Sequence, residues 1–201
     1  MKSFLASLVL SLILCSNTWA QNPVPENIII GDSLCTFIDN ASQKASRLSP
    51  KGDLAGTHLW FGGTTLTWLK KALLNYPVTP RIKHVVVSTG TNSAYAPTDD
   101  IEGLVSTTRS RFPYARIIVV PGSWWIKQPR GWVVTVPEEK VKAYYQRFEA
   151  LGVKITSPVG DSRVCCNNDP HGNFPIYKTI GAEIDAIIDS SDPSSKTDLF
   201  P

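Results

Sequence analysis

The alternation of short β-branched runs with longer helical patterns is the feature that most constrains the fold of this chain. Five runs have the character of strands: 27–30, 58–61, 82–88, 115–120 and 153–156. Apolar residues recur at helical spacing over 34–48, 64–74, 99–111, 138–151 and 176–188. Strands connected through helices form right-handed crossovers and therefore parallel sheets. The pattern predicts an α/β protein, a three-layer α/β/α sandwich around a mainly parallel central sheet.

Composition excludes several classes of protein. With 42% apolar and 18% charged residues, the 201-residue chain is too apolar for a disordered protein and long enough for one domain with a sizeable core. The 20 Lys and Arg against 17 Asp and Glu give a net charge of +3 without a cationic run, which argues against nucleic acid as a partner.

The first residues have the pattern of a secretory signal peptide. A basic Lys2, an apolar run over 4–14 and a small residue at Ala20 predict cleavage after Ala20. The apolar run is too short to span a bilayer. We therefore expect a signal peptide over 1–20, a domain over 21–189 and a disordered tail over 190–201. The expected mature protein is a monomer without a membrane span, and it is secreted or periplasmic.

Ligands of parallel sheets bind beyond the carboxyl ends of the strands, so residues just after strands are candidates for a site. Ser33 lies two residues after the first strand, at the start of a predicted helix, whose positive end would favour developing negative charge. The alternative is that Ser33 only caps this helix. Asn92 follows the strand at 82–88, and Gly62 and Gly63 follow the run at 58–61. Each of these could also belong to an ordinary turn.

A serine nucleophile needs a base, and the chain has three histidines. His84 lies at the opposite end of the sheet, where it is most simply a surface or structural residue. His58 has no acid near it in sequence. His171 lies in a loop between the last strand and the last helix, beside Asp169, which could orient its imidazole. His171 is therefore the predicted base.

These residues resemble the motifs of the SGNH hydrolases. Gly31-Asp32-Ser33-Leu34 is similar to the GDSL motif of that family. The resemblance implies a flavodoxin-like SGNH hydrolase fold in which Ser33 is the nucleophile and His171 the base. It also implies an oxyanion hole formed by the N–H groups of Ser33 and Gly63 (or Gly62) and the amide of Asn92. No metal and no cofactor is implied.

The chain departs from the family pattern at the acid. The family has Asp three residues before the histidine, where this chain has Asn168, and Asp169 stands two before. Asp169 is the predicted acid, and a Ser-His dyad is the alternative.

The implied activity is that of a secreted serine esterase that passes through a Ser33 acyl-enzyme. We expect a small-molecule or polysaccharide ester as substrate, with a short acyl group such as acetyl and with carbohydrates among the candidate alcohols. Trp124 and Trp125 could bind the substrate, or they pack their loop onto the core. The alternatives are a non-catalytic binding module with a degenerate site, an O-acyltransferase and a lipid esterase.

Three cysteines remain after the predicted cleavage: Cys35, Cys165 and Cys166. If Ser33 and His171 meet, these cysteines come close together. The expectation is a disulfide from Cys35 to Cys165 or Cys166, with a vicinal Cys165–Cys166 bond as the alternative. Adjacent cysteines do not have the spacing of a zinc site.

Overall fold

A computed structural model describes residues 25–47, 59–127, 133–160, 171 and 174–191. Its main sheet contains five parallel strands in the order β2-β1-β3-β4-β7. The strands of this sheet are β1 (Asn27–Gly31), β2 (Ser46–Arg47), β3 (His84–Thr89), β4 (Arg116–Pro121) and β7 (Lys154–Ile155). An antiparallel hairpin of β5 (Trp125–Lys127) and β6 (Val133–Thr135) follows β4.

Helices cover both faces of the sheet. They are α1 (Cys35–Ala41), α2 (Leu66–Leu74), α3 (Ile101–Arg111), α4 (Glu138–Ala150) and α5 (Phe174–Ser191). Helices α1 and α5 pack on one face, and α2, α3 and α4 pack on the other. The three-layer α/β/α sandwich predicted from the sequence is confirmed.

The middle residues of the central strands are apolar because both faces of these strands are buried. Successive residues of a strand point to opposite faces, so Val86 of β3 faces the core layer that contains α1 and α5. Val85 and Val87 face the layer that contains α2, α3 and α4. Two separate cores therefore share one sheet.

The strand order places a topological switch between β1 and β3. From β1 the chain passes through α1 to β2 on one side, and β3 then pairs with the other side of β1. At such a switch the connections diverge and leave a crevice beyond the carboxyl ends of the strands. The flavodoxin-like order expected from the sequence is thus confirmed, and the residues after β1 and β3 are adjacent.

Two local predictions were wrong. The helix expected over 34–48 ends at Ala41, because Ser42 takes an extended backbone and its hydroxyl donates to Asp185 and accepts from the N–H of Ala45. The chain can then form β2. The loop expected around Trp124 and Trp125 instead contains the β5–β6 hairpin.

Of the run expected to be a strand at 58–61, the described residues 59–61 form only an isolated bridge, between Trp60 and Gly31. None of the helices in the described ranges combines the length and the apolar character needed to cross a bilayer. The predicted signal peptide and the residues of the predicted tail after Ser191 lie outside the described residues.

Candidate active site

Strand β1 ends at a glycine that the local geometry requires. Gly31 has a φ of 129°, and a Cβ added there would lie 1.9 Å from the carbonyl oxygen of Ser88 on β3. The next residue, Asp32, donates its N–H to this same carbonyl oxygen at 3.1 Å. The close approach of the two backbones turns the chain sharply at the carboxyl edge and places Ser33 directly after the turn.

Asp32 is a buried carboxylate beneath the site. Its side chain is 1% exposed, and its Oδ1 accepts hydrogen bonds from the Ser88 hydroxyl at 2.7 Å and from the N–H of Leu34 at 3.1 Å. Burial raises the pKa of Asp32, while the Ser88 hydroxyl, the Leu34 N–H and the nearby His171 oppose this rise. When it is ionised, the Asp32 carboxylate therefore places a negative charge immediately under Ser33.

Ser33 and His171 meet although 138 residues separate them in sequence. The Nε2 atom of His171 lies 3.1 Å from the Oγ atom of Ser33, within the reach needed for proton transfer. The residue that precedes α1 is Leu34, so Ser33 stands outside the helix and does not take the cap position. The side chains of both residues are partly accessible to solvent.

Aromatic rings hold His171 in place. Its imidazole stacks on the ring of Phe37, with centroids 5.3 Å apart and an interplanar angle of 28°. Phe37 in turn stacks on Tyr177 of α5 at 5.1 Å and 24°. The hydroxyl of Tyr177 donates a short hydrogen bond to the main-chain carbonyl of His171.

Two further turns border Ser33 at the same edge. Gly31 accepts a hydrogen bond from the N–H of Phe61, which brings the Gly62-Gly63 turn beside the end of β1. Gly63 has a φ of 79° and an open space where a side chain would be. The Nδ2 atom of Asn92, in a single 3₁₀ turn over Thr91–Ser93, donates to the carbonyl of Thr64 at 3.0 Å.

Three hydrogen-bond donors lie on the turns at this carboxyl edge of the sheet. Among the described residues, no acceptor bonds the main-chain N–H of Ser33 or of Gly63. The amide of Asn92 carries a second N–H besides the one directed at Thr64. This set of groups has the composition of an oxyanion hole.

A tyrosine cluster fixes the turn that carries Asn92. The hydroxyl of Tyr145 donates to the carbonyl of Thr89 at 2.7 Å, and that of Tyr95 donates to the carbonyl of Ser123 at 2.6 Å. Burial raises the pKa of both tyrosines well above the usual range, so they remain neutral donors. Asn92 is thus presented by a rigid, hydrogen-bonded support.

A cavity of about 320 Å³ lies at the carboxyl ends of β4 and β7. The ring of Trp124 lines it together with Tyr145 and Ile155, and Glu138 and Lys142 of α4 are at its border. The Nε1 atom of Trp124 is buried and has no hydrogen-bond partner among the described residues. This cavity is on the same edge of the sheet as Ser33. Its aromatic and mixed-charge lining suits an organic group with both apolar and hydroxyl surfaces.

The sequence matches no protein-family model and no curated protein. Solved structures nevertheless share its architecture. A proposed acylhydrolase from Bacteroides fragilis aligns over 86% of this chain and 92% of its own, with a TM-score of 0.56 at 13% identity. A lipase/acylhydrolase from Enterococcus faecalis aligns over 80% of this chain and 93% of its own, with a TM-score of 0.51 at 14% identity.

A proposed lipolytic protein of the G-D-S-L family from Desulfitobacterium hafniense also aligns, over 80% of this chain and 97% of its own, with a TM-score of 0.50 at 10% identity. This chain has the SGNH hydrolase fold. The resemblance found in the GDSL-like motif is therefore confirmed at the level of the fold.

In this SGNH fold, some of the predicted site residues come together and others lie outside the described residues. Ser33, His171, Gly63 and Asn92 come together at the carboxyl edge, and Trp124 lines the neighbouring cavity. Asp169 lies outside the described residues, as do Asn168 and His58, and the side chain of Trp125 is not described. Among the described residues, no group of three or more acidic, histidine or cysteine side chains could hold a metal ion.

The predicted disulfide at Cys35 is wrong, because Cys35 is a free thiol. Its side chain is 0% exposed and packs among Ile29, Ile38 and Tyr177, in the apolar layer between the sheet and α5. Burial raises the pKa of this thiol well above its usual range. Cys165 and Cys166 lie outside the described residues.

Sequence reasoning missed three residues of the site. Asp32 was part of the quoted motif, but only the structure shows its burial and its bond to Ser88. Phe37 and Tyr177 each follow the helical spacing of the apolar residues in their own helix. This spacing indicates that the two side chains pack, but it does not reveal that their rings support His171. The one available signal was that Phe37 lies one helical turn beyond Ser33.

Proposed function

We propose that this protein is a serine ester hydrolase of the SGNH type that works through an acyl-enzyme on Ser33. The observation that carries the proposal is the 3.1 Å approach of His171 Nε2 to Ser33 Oγ at a topological switch. Support also comes from the fold shared with structures described as a lipase/acylhydrolase and a proposed acylhydrolase.

In the first half of the reaction, His171 accepts the hydroxyl proton of Ser33 while Oγ attacks the ester carbonyl. The negative charge of the tetrahedral intermediate lies among the N–H groups of Ser33 and Gly63 and the amide of Asn92. When the intermediate collapses, the bond to the alcohol oxygen breaks. His171 returns its proton to that oxygen, and the alcohol leaves.

In the second half, water attacks the acyl-enzyme. His171 takes a proton from the water, and the same donors stabilise the second tetrahedral intermediate. The Ser33 Oγ–acyl bond then breaks, Oγ recovers a proton from His171, and the carboxylic acid leaves. We propose Asp169 as the acid that orients His171. A strong loss of activity in Asp169→Asn beside a near-normal Asn168→Ala would support this role.

The proposed substrate is an ester with a short acyl group, such as acetyl, on a carbohydrate or another polar alcohol. The partly accessible serine and the cavity lined by Trp124 support this class, because indole rings bind the apolar faces of sugars. We also propose that the protein is exported after cleavage behind Ala20. N-terminal sequencing of the exported protein would test this.

The deciding experiment measures burst release of p-nitrophenol from p-nitrophenyl acetate. Wild type should give a burst close to one equivalent of enzyme, and Ser33→Ala should give none. Ser110→Ala is the matched control, because Ser110 is an exposed serine whose hydroxyl bonds only its own helix at Thr107. Equal rates for wild type and Ser33→Ala would refute the proposal. Adding a sugar and identifying an acetylated product by mass spectrometry would reassign the site to acyl transfer.

A further inference from the structure

Three rings form a continuous column beside the reacting atoms. His171 stacks on Phe37, and Phe37 stacks on Tyr177, with both interplanar angles below 30°. The Tyr177 hydroxyl reaches back to the main-chain carbonyl of His171. The column therefore holds His171 at two points, its imidazole face and its backbone.

The column also connects the base to the nucleophile through one helix. Phe37 belongs to α1, and Ser33 lies four residues before it in the turn that leads into this helix, so one short segment carries both the nucleophile and the ring under the imidazole. Helix α1 is in turn fixed against α5, where a Cβ on Gly181 would lie 2.6 Å from the backbone of Ala41. Tyr177 is 0% exposed in this α1–α5 contact. The distance between Oγ and Nε2 is thereby set by packed helices and not by the histidine loop alone.

The column has a chemical consequence as well. When His171 takes the proton of Ser33, the imidazole becomes a cation lying over the face of the Phe37 ring. The negative face of an aromatic ring attracts such a cation, and more strongly where water is excluded. The column therefore contributes in two ways: it fixes the direction of Nε2, and it favours the charged form that exists only after proton transfer.

We propose that Phe37 and Tyr177 are positioning residues that align His171 with Ser33 and stabilise its imidazolium form. This inference rests on the ester hydrolysis proposed above. Phe37 acts through the face of its ring, and Tyr177 acts through its ring and its hydroxyl. Both proposed roles act on His171 and not on the substrate, so their effect belongs to kcat and not to KM.

The test compares Phe37→Leu with Phe37→Tyr in the full chain. Leucine keeps the apolar bulk but has no ring face, so kcat for p-nitrophenyl acetate should fall about tenfold, which corresponds to about 1.4 kcal/mol. KM should stay within about twofold, and Phe37→Tyr should restore kcat to nearly the wild-type value, because the ring is retained. Tyr177→Phe keeps the column and removes only the hydroxyl, and a loss of a few-fold in kcat is expected.

Phe112→Leu is the matched control. Phe112 is a buried phenylalanine whose ring packs against Tyr76 at 5.6 Å, in the other core layer. Its replacement also removes an aromatic pair from a core and should leave kcat unchanged while the protein is folded. If Phe112→Leu lowers kcat as much as Phe37→Leu does, the effect is general destabilisation and the proposal is wrong.

A spectroscopic measurement separates this proposal from the ester hydrolysis itself. The ring current of Phe37 should displace the Cε1–H proton resonance of His171, which a His171→Gln spectrum assigns. In Phe37→Leu this displacement should be lost, and in Phe37→Tyr it should be kept. A wild type without esterase activity would refute the proposed function, but the resonance would still report the column. An unchanged resonance in Phe37→Leu would overturn the column, whatever the activity.

If Phe37→Leu does not fold, as judged by circular dichroism, Tyr177→Phe and Phe37→Tyr carry the test. An unchanged kcat together with an unchanged His171 resonance in Tyr177→Phe would overturn the role of the Tyr177 hydroxyl. A large loss of kcat in Phe37→Tyr, with the protein folded, would overturn the role of the ring.

Discussion

The two ends of the central sheet each hold a histidine, and the two histidines differ in every contact. At the carboxyl edge, His171 faces a serine hydroxyl through Nε2 and is partly accessible to solvent. At the amino edge, His84 begins β3, is 6% exposed and makes a 2.8 Å hydrogen bond through Nδ1 with the side chain of Asn27. The Nε2 atom of His84 is buried, and no residue in the described part of the chain bonds it.

The charges around the two imidazoles differ in sign. Asp32 lies beneath the site of His171 and interacts electrostatically with it. His84 lies beside Arg116 and Lys83, and burial together with these two cations lowers its pKa. Protonation of the His84 imidazole is therefore disfavoured in its setting. Position along the strands thus separates a candidate base from a structural histidine, as the sequence analysis predicted for His84.

The largest expected effect is the loss of activity at the carboxyl edge. Ser33→Ala and His171→Ala should each lower kcat for p-nitrophenyl acetate by roughly 10³-fold or more, because each removes a group that participates in the covalent step. His84→Gln at the other edge should keep kcat within about tenfold. The comparison fails if steady-state kinetics show His84→Gln to be as damaging as His171→Ala.

The next effect concerns stability, and it compares two glycines. Gly31→Ala at the carboxyl edge should lower the free energy of unfolding by about 4 kcal/mol or more, because its Cβ would overlap the Ser88 carbonyl, which cannot move without breaking the sheet. Gly152→Ala lies just before β7 at the amino edge, with a φ of 74° and open space around it. It should cost only about 1–2 kcal/mol, the cost of the left-handed backbone.

Urea unfolding with circular dichroism detection measures both variants. Equal losses of stability would show that positive φ, and not the contact with Ser88, is what requires glycine at the end of β1.

A smaller effect with a defined sign is expected at Asp32. Since burial raises its folded pKa above the usual value, the folded protein binds more protons than the unfolded chain between these two values. The free energy of unfolding therefore falls as pH rises through that window and stays lower above it. Asp32→Asn keeps an acceptor for Ser88 but cannot ionise. It should raise Tm at pH 7 and lose this advantage below the usual pKa of aspartate.

Asp100→Asn is the control with the opposite sign. The hydrogen bond from Lys70 and the N–H of Gly103 lower the pKa of Asp100, so its stabilisation is present above its usual pKa and is lost in acid. Asp100→Asn should lower Tm at pH 7. Thermal melts at several pH values measure the Tm of both variants. If Tm at pH 7 shifts in the same direction in both, the burial argument for Asp32 is contradicted.

The smallest effect is the pH dependence due to His84. Its folded pKa is lowered, so its contribution to stability is present above the usual pKa of histidine and is lost as pH falls from there to the lowered value. His84→Gln should flatten the dependence of the unfolding free energy on pH below the usual pKa of histidine. Urea titrations at several pH values measure this dependence. If the unfolding free energies of wild type and His84→Gln change in parallel with pH, His84 is not the cause of the pH dependence.

Sequence patterns predicted the elements whose residues are buried on both sides. The runs at 27–30, 82–88 and 115–120 correspond to β1, β3 and β4, because continuous β-branched runs fit a central parallel strand. The edge strand β2 was missed, since Ser46 and Arg47 are polar and their pairing depends on Ser42, whose carboxylate partner Asp185 lies more than a hundred residues away. Local patterns contain no trace of such a contact.

The same reasoning applies to the site. Ser33 and Asn92 were predictable because they follow strands of strong pattern, and His171 was predictable as a loop histidine at the same edge. The stacking of Phe37 under His171 was not predictable. An aromatic residue at helical spacing shows the same sequence pattern whether its ring packs in the hydrophobic core or against a catalytic histidine. Cys35 was misassigned because proximity to the site in sequence says nothing about the direction of its side chain, which points into the core.

The shortness of the outer strands affects how this protein meets other copies of itself. Strands β2 and β7 each contribute only two residues to the sheet, and they carry the basic side chains of Arg47 and Lys154. A long, flat outer strand would present a row of unpaired N–H and C=O groups that a second sheet could extend. Among the described residues, that row is two residues long at either side, with Lys154 at one side and the Arg47–Asp39 ion pair at the other. The described part of the sheet therefore offers little outer edge to which a second sheet could add.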